Sequence, residues 1–421
     1  MEISLSEDNQ FFSEIAMKDN RIFVTTALIL FLVIGCKSSI FKSSRGIDTI
    51  PQSFYFQGSH TLPYLTDTIE IDFENRLPIT VVYINGRPYR FLMDTGALTV
   101  ISHEIYEDLD LEESYRGYFN DINNRSRLTS YTVIPDLRIS NTTFNDIGAV
   151  VLDISEPLSC FYDGIVGANL MAKLHWKFDY QNKMAIVSDN KSEIEIQDPD
   201  HIWPFITSNQ QTPYLNAGLL QRRGLFMFDT GASHGIHVTN HYDFYKSEVD
   251  SSKFITRTGI QSFGVYGPGN EVKSFIMETD IIIAEDTLEN AIVSGGSKTL
   301  LGNDFLKNYL FAIDWTDRKI TLKRNETIGI SRQNLYEGFG YTAYFINDKL
   351  RVINLIEEAN LPLALGDEII RINQTDFSAK TDIDICDYIR VGEQSDLSEK
   401  NITVVRENDT LSFNLEKQLF Y

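Results

Sequence analysis

The chain of 421 residues holds only three cysteines, Cys36, Cys160 and Cys386. That is too few for the disulfide framework by which small secreted domains compensate for a thin core. Basic residues are also scarce: 37 Lys+Arg against 59 Asp+Glu leave a net charge of -22. A polyanion is repelled by such a surface, which argues against nucleic acid as a partner. The N-terminal uncharged run, residues 22–35, is 14 residues long, about 21 Å as a helix against the ~30 Å of a hydrocarbon core, and so too short to span a bilayer. Missing too are the Gly-Lys-Ser/Thr of a phosphate loop and the His-Glu-x-x-His of a zinc peptidase. What is present is a globular composition, 43% hydrophobic and 12% aromatic, ample for two or three cores.

The tripeptide Asp-Thr-Gly occurs twice, at Asp94-Thr95-Gly96 and Asp229-Thr230-Gly231, each time closing an apolar run. Two carboxylates that share one proton can hold a water between them, one acting as general base while the other protonates a substrate carbonyl. Asp94 and Asp229 lie 135 apart (229 minus 94). The same offset carries Gly167 of Gly-Ile-Val-Gly onto Gly302 of Thr-Leu-Leu-Gly, Pro78 onto Pro213 and Asp179 onto Asp314. A repeat in register over this length reads as an internal duplication.

The apolar run 22–35 reads as a signal-peptide core. Its end, Leu32-Val33-Ile34-Gly35-Cys36, resembles the bacterial lipobox, which implies lipidation of Cys36 and anchoring at a membrane of a bacterial cell envelope. Met17-Lys18-Asp19-Asn20-Arg21 supplies a usual basic lead, whereas Glu2, Glu7, Asp8 and Glu14 upstream do not, pointing to Met17 as the start. Residues 1–36 are thus assigned to the signal segment. Residues 37–61, polar and without period, are expected to be a tether.

From about Leu65 the pattern is mostly β. Ile79–Ile84 and Tyr89–Met93 flank Asn85-Gly86, a dipeptide suited to a type I′ hairpin turn. Tyr214–Leu219 and Gly224–Phe228 repeat the arrangement, so each Asp-Thr-Gly is expected just past a strand end.

On these residues both halves resemble lobes of the retropepsin-like and pepsin-like aspartic proteases, over about residues 62–325. The resemblance implies a mainly β, bilobal fold with lobes at 62–197 and 198–328. It makes Asp94 and Asp229 the catalytic dyad, with Thr95 and Thr230 locking the two loops together and Gly96 and Gly231 letting backbone amides approach the carboxylates. Gly167 and Gly302 become structural residues of the psi-shaped loop behind the site. It further implies attack by an activated water with no acyl-enzyme, no metal and no organic cofactor. One chain supplies both carboxylates, so a monomer suffices and peptides or proteins are the substrates. Weakly acidic pH is expected to favour activity.

Such a cleft needs a cover, and Gly259–Gly269 with Phe263 and Tyr266 is the flap candidate; at the 135 offset Tyr131 matches Tyr266, within a lobe-one counterpart at about 116–131. An ordinary Gly-rich surface turn is the alternative there. His234, His237 and His241 have the spacing of one helical face, but lobe one carries Thr99, Ser102 and Tyr106 at the matching positions, so packing and polar roles are expected rather than a metal site.

A third unit, 334–421, contains Gly338-Phe339-Gly340-Tyr341 and Leu365-Gly366-Asp367-Glu368-Ile369-Ile370-Arg371-Ile372-Asn373, and resembles a PDZ domain. The resemblance implies a carboxylate-binding loop at Gly338–Tyr341, a strand edge that accepts a peptide C-terminus, and a bordering helix over 382–390. Simple packing on the lobes is the alternative. Cys160 and Cys386 fall in different expected domains and are expected to be core thiols. The leading reading is a lipid-anchored aspartic endopeptidase whose PDZ-like module docks or regulates peptides. Its rival is a non-catalytic peptide-binding lipoprotein on the same scaffold, and a two-carboxylate glycosidase lacks support from the Asp-Thr-Gly context.

Overall fold

The computed structural model describes residues 46–155, 158–325, 337–378, 386, 388 and 397–420. The signal segment with Met17 and Cys36 lies outside the described residues, as does most of the helix expected over 382–390. Among the described residues the structure is mainly β, its helices run to at most seven residues, and none is long and apolar enough to cross a membrane.

Apolar alternation and turn chemistry explain the elements that carry the Asp-Thr-Gly tripeptides. Ile79–Ile84 pairs antiparallel with Arg87–Asp94, and the connection places Asn85 at φ 49° and Gly86 at φ 76°. Two central residues with positive φ match the twist of a tight hairpin. Asp94 ends the second strand and pairs in parallel with Gly167 of Gly164–Gly167. In the second half Pro213–Leu219 pairs with Arg222–Phe228, whose end runs parallel to Leu300–Leu301.

A six-stranded sheet underlies both halves, in the order Asp67–Glu70, Met184–Ser188, His175–Asp179, Tyr309–Asp314, Lys319–Arg324 and His201–Thr207. Its two central strands bring Phe178 and Phe311 into a stack with centroids 5.0 Å apart. Trp176, Trp203, Phe228 and Phe275 are buried in the same continuous core. The halves therefore share one hydrophobic interior, which fixes the two tripeptides relative to each other.

Each half also projects a hairpin. Tyr115–Asn120 pairs with Ser126–Ile139, and Phe254–Ile260 with Glu271–Ile283, the latter hairpin tipped by a short ladder of Phe263–Gly264 on Gly267–Pro268.

The third unit packs its own core of Val352, Ile369, Ile402 and Val404. It is joined to the rest by a ladder in which Arg257, Thr258 and Gly259 pair with Ile356, Leu355 and Asn354. Gly259 is required here: its φ is 130°, and a Cβ would lie 2.1 Å from the carbonyl oxygen of Ile353. Glu357 and Glu358 reinforce the joint, accepting hydrogen bonds from Thr258 Oγ1 and the Thr256 amide.

Two expectations are corrected. The tether ends earlier than residue 61, because Gln52–Phe56 is helical and Ser59–Thr61 pairs with Thr143–Asn145. Phe54, 2% exposed, sets its ring edge-on to Tyr115 and Tyr131, and that burial draws the segment onto the fold. Cys160 and Cys386 are not free core thiols: they form a disulfide across 226 residues of chain. Domain assignment from sequence kept them apart, whereas the third unit folds back against the loop that carries Cys160.

Candidate active site

Parallel pairing delivers each Asp to the same place. Asp94 lies at its strand end beside Gly167, and the Asp229 amide donates to the Leu301 carbonyl at 2.9 Å. A Cβ on Gly167 would stand 2.2 Å from the backbone of Leu98 and Thr99, and one on Gly302 2.3 Å from the His234 carbonyl oxygen. Both glycines are therefore dictated by close chain crossing rather than by a turn.

Thr95 and Thr230, both 0% exposed, join the loops. Each donates its backbone N–H to the other's hydroxyl, at 3.0 and 3.1 Å. Each hydroxyl donates onward to the strand of the opposite half, Thr95 to the Phe228 carbonyl at 2.5 Å and Thr230 to the Met93 carbonyl at 2.7 Å.

The carboxyl groups of Asp94 and Asp229 are hydrogen-bonded to each other. Gly96 N–H donates to Asp94 Oδ1 at 2.7 Å and Gly231 N–H to Asp229 Oδ1 at 2.9 Å. The same glycines leave room for the opposite carboxylate: a Cβ on Gly231 would sit 2.2 Å from the Asp94 carboxyl, and one on Gly96 2.8 Å from that of Asp229. Burial raises the pKa of Asp94, against the lowering effect of its amide donors. Burial raises Asp229 as well, and the neighbouring Asp94 charge adds to it. Like charges this close cannot both ionise, so one proton is retained between them.

Residues that the motif did not flag complete the surroundings. Asn169 Oδ1 accepts from the Thr99 amide and hydroxyl, and its Nδ2 donates to the Gly148 carbonyl. Asn303 donates to the Thr230 carbonyl at 2.6 Å and accepts from the Tyr180 hydroxyl at 3.0 Å. The Tyr162 hydroxyl is raised by burial and then by Asp94, and that of Tyr180 by burial and then by Asp229. Asn169 and Asn303 stand two and one residues after the repeated Gly, a sequence cue that strict 135-register matching passed over.

The dyad lies in a cavity of about 950 Å³ also lined by Gly96, Gly231, Tyr131, Phe263 and His234, at the upper end of the ~300–1,000 Å³ common for ligand pockets. Both hairpins bound it, so cover comes from both halves. Their tips meet: Arg125 Nη1 donates to the Tyr266 carbonyl at 3.1 Å, and Ser262 Oγ to Asn123 Oδ1 at 2.6 Å. The Arg127 guanidinium lies 4.6 Å from the Tyr266 ring centroid. Tyr131 is buried at the hairpin base with its hydroxyl on the Tyr118 carbonyl, in the same apolar cluster as Tyr266.

His234 and His237 flank the cavity with ring centroids 4.9 Å apart. Ile236–Thr239 is a strand and His241 precedes the short helix Tyr242–Glu248, so no shared helical face exists. Burial first, then neighbouring cations, lowers His234 to about 4, and burial with His234 lowers His237. Both are neutral near pH 7.

At the third unit Phe339 and Tyr341 line this cavity too, while Gly338 pairs with Gln418 and Gly340 takes φ 75°.

Residues 80–170 match a family model described as aspartyl protease. The chain carries an aspartic protease-like domain. The match includes Asp94 and Gly167 and stops before Asp229, and with the mainly β structure it supports peptidase activity. No curated protein matches the chain.

Proposed function

We propose that this aspartic protease-like protein is a single-chain endopeptidase in which two duplicated lobes each contribute one carboxylate. The observation that carries the reading is the Asp94–Asp229 pair, hydrogen-bonded to each other and each held by the amide of its own Gly. Asp94 and Asp229, both raised by burial, keep one shared proton between them. The ionised member of the pair takes a proton from the bound water as the water oxygen attacks the scissile carbonyl, while the protonated member protonates the carbonyl oxygen. The resulting diol collapses when a proton passes to the leaving nitrogen, and the C–N bond breaks. The neutral His234 adds no charge to the site.

The chain is further proposed to be a lipoprotein of a bacterial envelope, anchored through Cys36, on the strength of the Ile34-Gly35-Cys36 ending. Its third unit is proposed to be a PDZ-like module docking peptide ends, supported by the Gly338–Tyr341 segment leading directly into the strand Tyr341–Ile346.

The test is cleavage of a peptide library by the chain from Lys37 onward, beside Asp94→Asn and Asp229→Asn, from acidic to neutral pH. Wild-type cleavage lost in both variants is expected. Cleavage unchanged in either variant would sink the dyad, and binding without cutting would favour a scaffold.

A further inference from the structure

The two halves place the same strand crossing beside the dyad. In the first, Leu92 pairs in parallel with Ile165, and Ile165 pairs antiparallel with Val100. In the second, Met227 pairs in parallel with Leu300, and Leu300 pairs antiparallel with His237. Leu92 and Met227 each stand two residues before their Asp, and all six residues line the cavity. The ladders therefore make His237 the structural counterpart of Val100. The 135 offset hides this, because Val100 follows Asp94 by six residues and His237 follows Asp229 by eight.

The two walls differ in chemistry. Phe161 and Tyr162 join Leu92, Val100 and Ile165 in one apolar cluster on the Asp94 side. On the Asp229 side the counterpart wall holds an imidazole, with His234 beside it and open to the cavity. His237 is 9% exposed, and among the described residues no hydrogen bond reaches its ring. Gly296 leaves room for that ring, since a Cβ there would stand 2.8 Å from His237 Nδ1. A buried imidazole without a partner costs stability, which a hydrogen bond from a ligand returns.

A peptide bound in extended form turns successive side chains to opposite sides. With its scissile bond centred on Asp94 and Asp229, the residue on one side of that bond meets the apolar wall. The residue on the other side meets His237.

We infer that the protein cuts between an apolar residue and an acidic one, the Asp or Glu side chain accepting hydrogen bonds from His237 and His234. This rests on the peptidase reading above and names its substrate class. The groups acting on His237 are His234 and Arg257, and those acting on His234 are Arg257, Arg76 and Asp304. A carboxylate set against the two rings favours their protonated form, and charge-assisted hydrogen bonds then hold it.

The experiment uses the full chain and peptides with an apolar residue on one side of a single bond and Glu, Gln or Leu on the other. Each is made in both orders and tested at about pH 5, where a free Glu is ionised. Products are mapped by mass. In one of the two orders kcat/KM for Glu is expected to exceed that for Leu about tenfold to a hundredfold, chiefly through KM, with Gln nearer to Leu. His237→Val, which copies the Val100 wall, is expected to invert that preference, and His234→Leu to shrink it. Should the Val variant not fold, His234→Leu and the wild-type ratios decide. Leu or Gln cut as well as Glu by the wild type, or a Glu preference untouched by these substitutions, overturns the inference and leaves the peptidase reading intact. No cleavage of any peptide, with wild type indistinguishable from Asp229→Asn, overturns that reading and this inference with it.

Discussion

Thr95 and Thr230 are bonded reciprocally, each hydroxyl accepting the other's backbone N–H and donating to a carbonyl of the opposite half. All of these groups are buried, so removing one hydroxyl strands two backbone partners. The Thr95→Ala change is expected to cost about 2–6 kcal/mol, from ~1–3 kcal/mol for each unsatisfied group. Thr95→Ser keeps the hydroxyl and loses a methyl, for about 1 kcal/mol. Urea unfolding of both variants checks this; an equal effect would show that the methyl, not the hydrogen bonds, matters.

The dyad makes a prediction of opposite sign for stability. Asp94 and Asp229 have folded-state pKa values raised above the ordinary carboxylate range by burial. As pH climbs through about 4 the unfolded chain ionises these groups while the folded chain resists, so the fold loses stability upward from that point. Asp229→Asn is therefore expected to raise Tm at pH 7 and to leave it unchanged near pH 3. Thermal melts across that range decide it, and a destabilised variant at pH 7 would contradict the raised pKa.

The rate profile follows from the same shift. Catalysis needs one proton on the pair, and burial keeps it there above the pH at which exposed carboxylates have lost theirs. Activity is expected to persist through weakly acidic into neutral pH, with its acid limb above about 4. A kcat/KM profile that peaks below that value would show that water in the open cleft cancels the burial effect.

How far these features could be read in the chain differs by residue. Asp94 and Gly167 were legible because the motif and its offset encode a local strand end and a close crossing, both short-range events. The hairpin turn was legible for the same reason, since Asn85 and Gly86 state their own φ preference. The offset matches Tyr131 with Tyr266 but says nothing of their surroundings: Tyr131 lines the cavity from the hairpin base, with the Phe54 ring beside it, in one apolar cluster with Tyr266. The Cys160–Cys386 bond and the pairing of Arg257–Gly259 with the third unit depend on how separate cores dock. No periodicity or composition of either segment encodes that docking.

The disulfide gives the last prediction. It closes 226 residues, for which the chain-entropy account gives about 5 kcal/mol. Part of that is redundant here, because the ladder from Arg257 to Gly259 and the Lys273–Glu357 ion pair already join the third unit to the second hairpin. Cys160→Ser with Cys386→Ser should therefore leave the protein folded while loosening the wall that carries Tyr162 against the one that carries Tyr388. Hydrogen exchange is expected to rise in 158–164 and 341–346 more than in the shared core strands His175–Asp179 and Tyr309–Asp314. Uniform loss of protection would instead mean that the bond holds the whole fold, and unchanged exchange that the ladder alone fixes the third unit against the second hairpin.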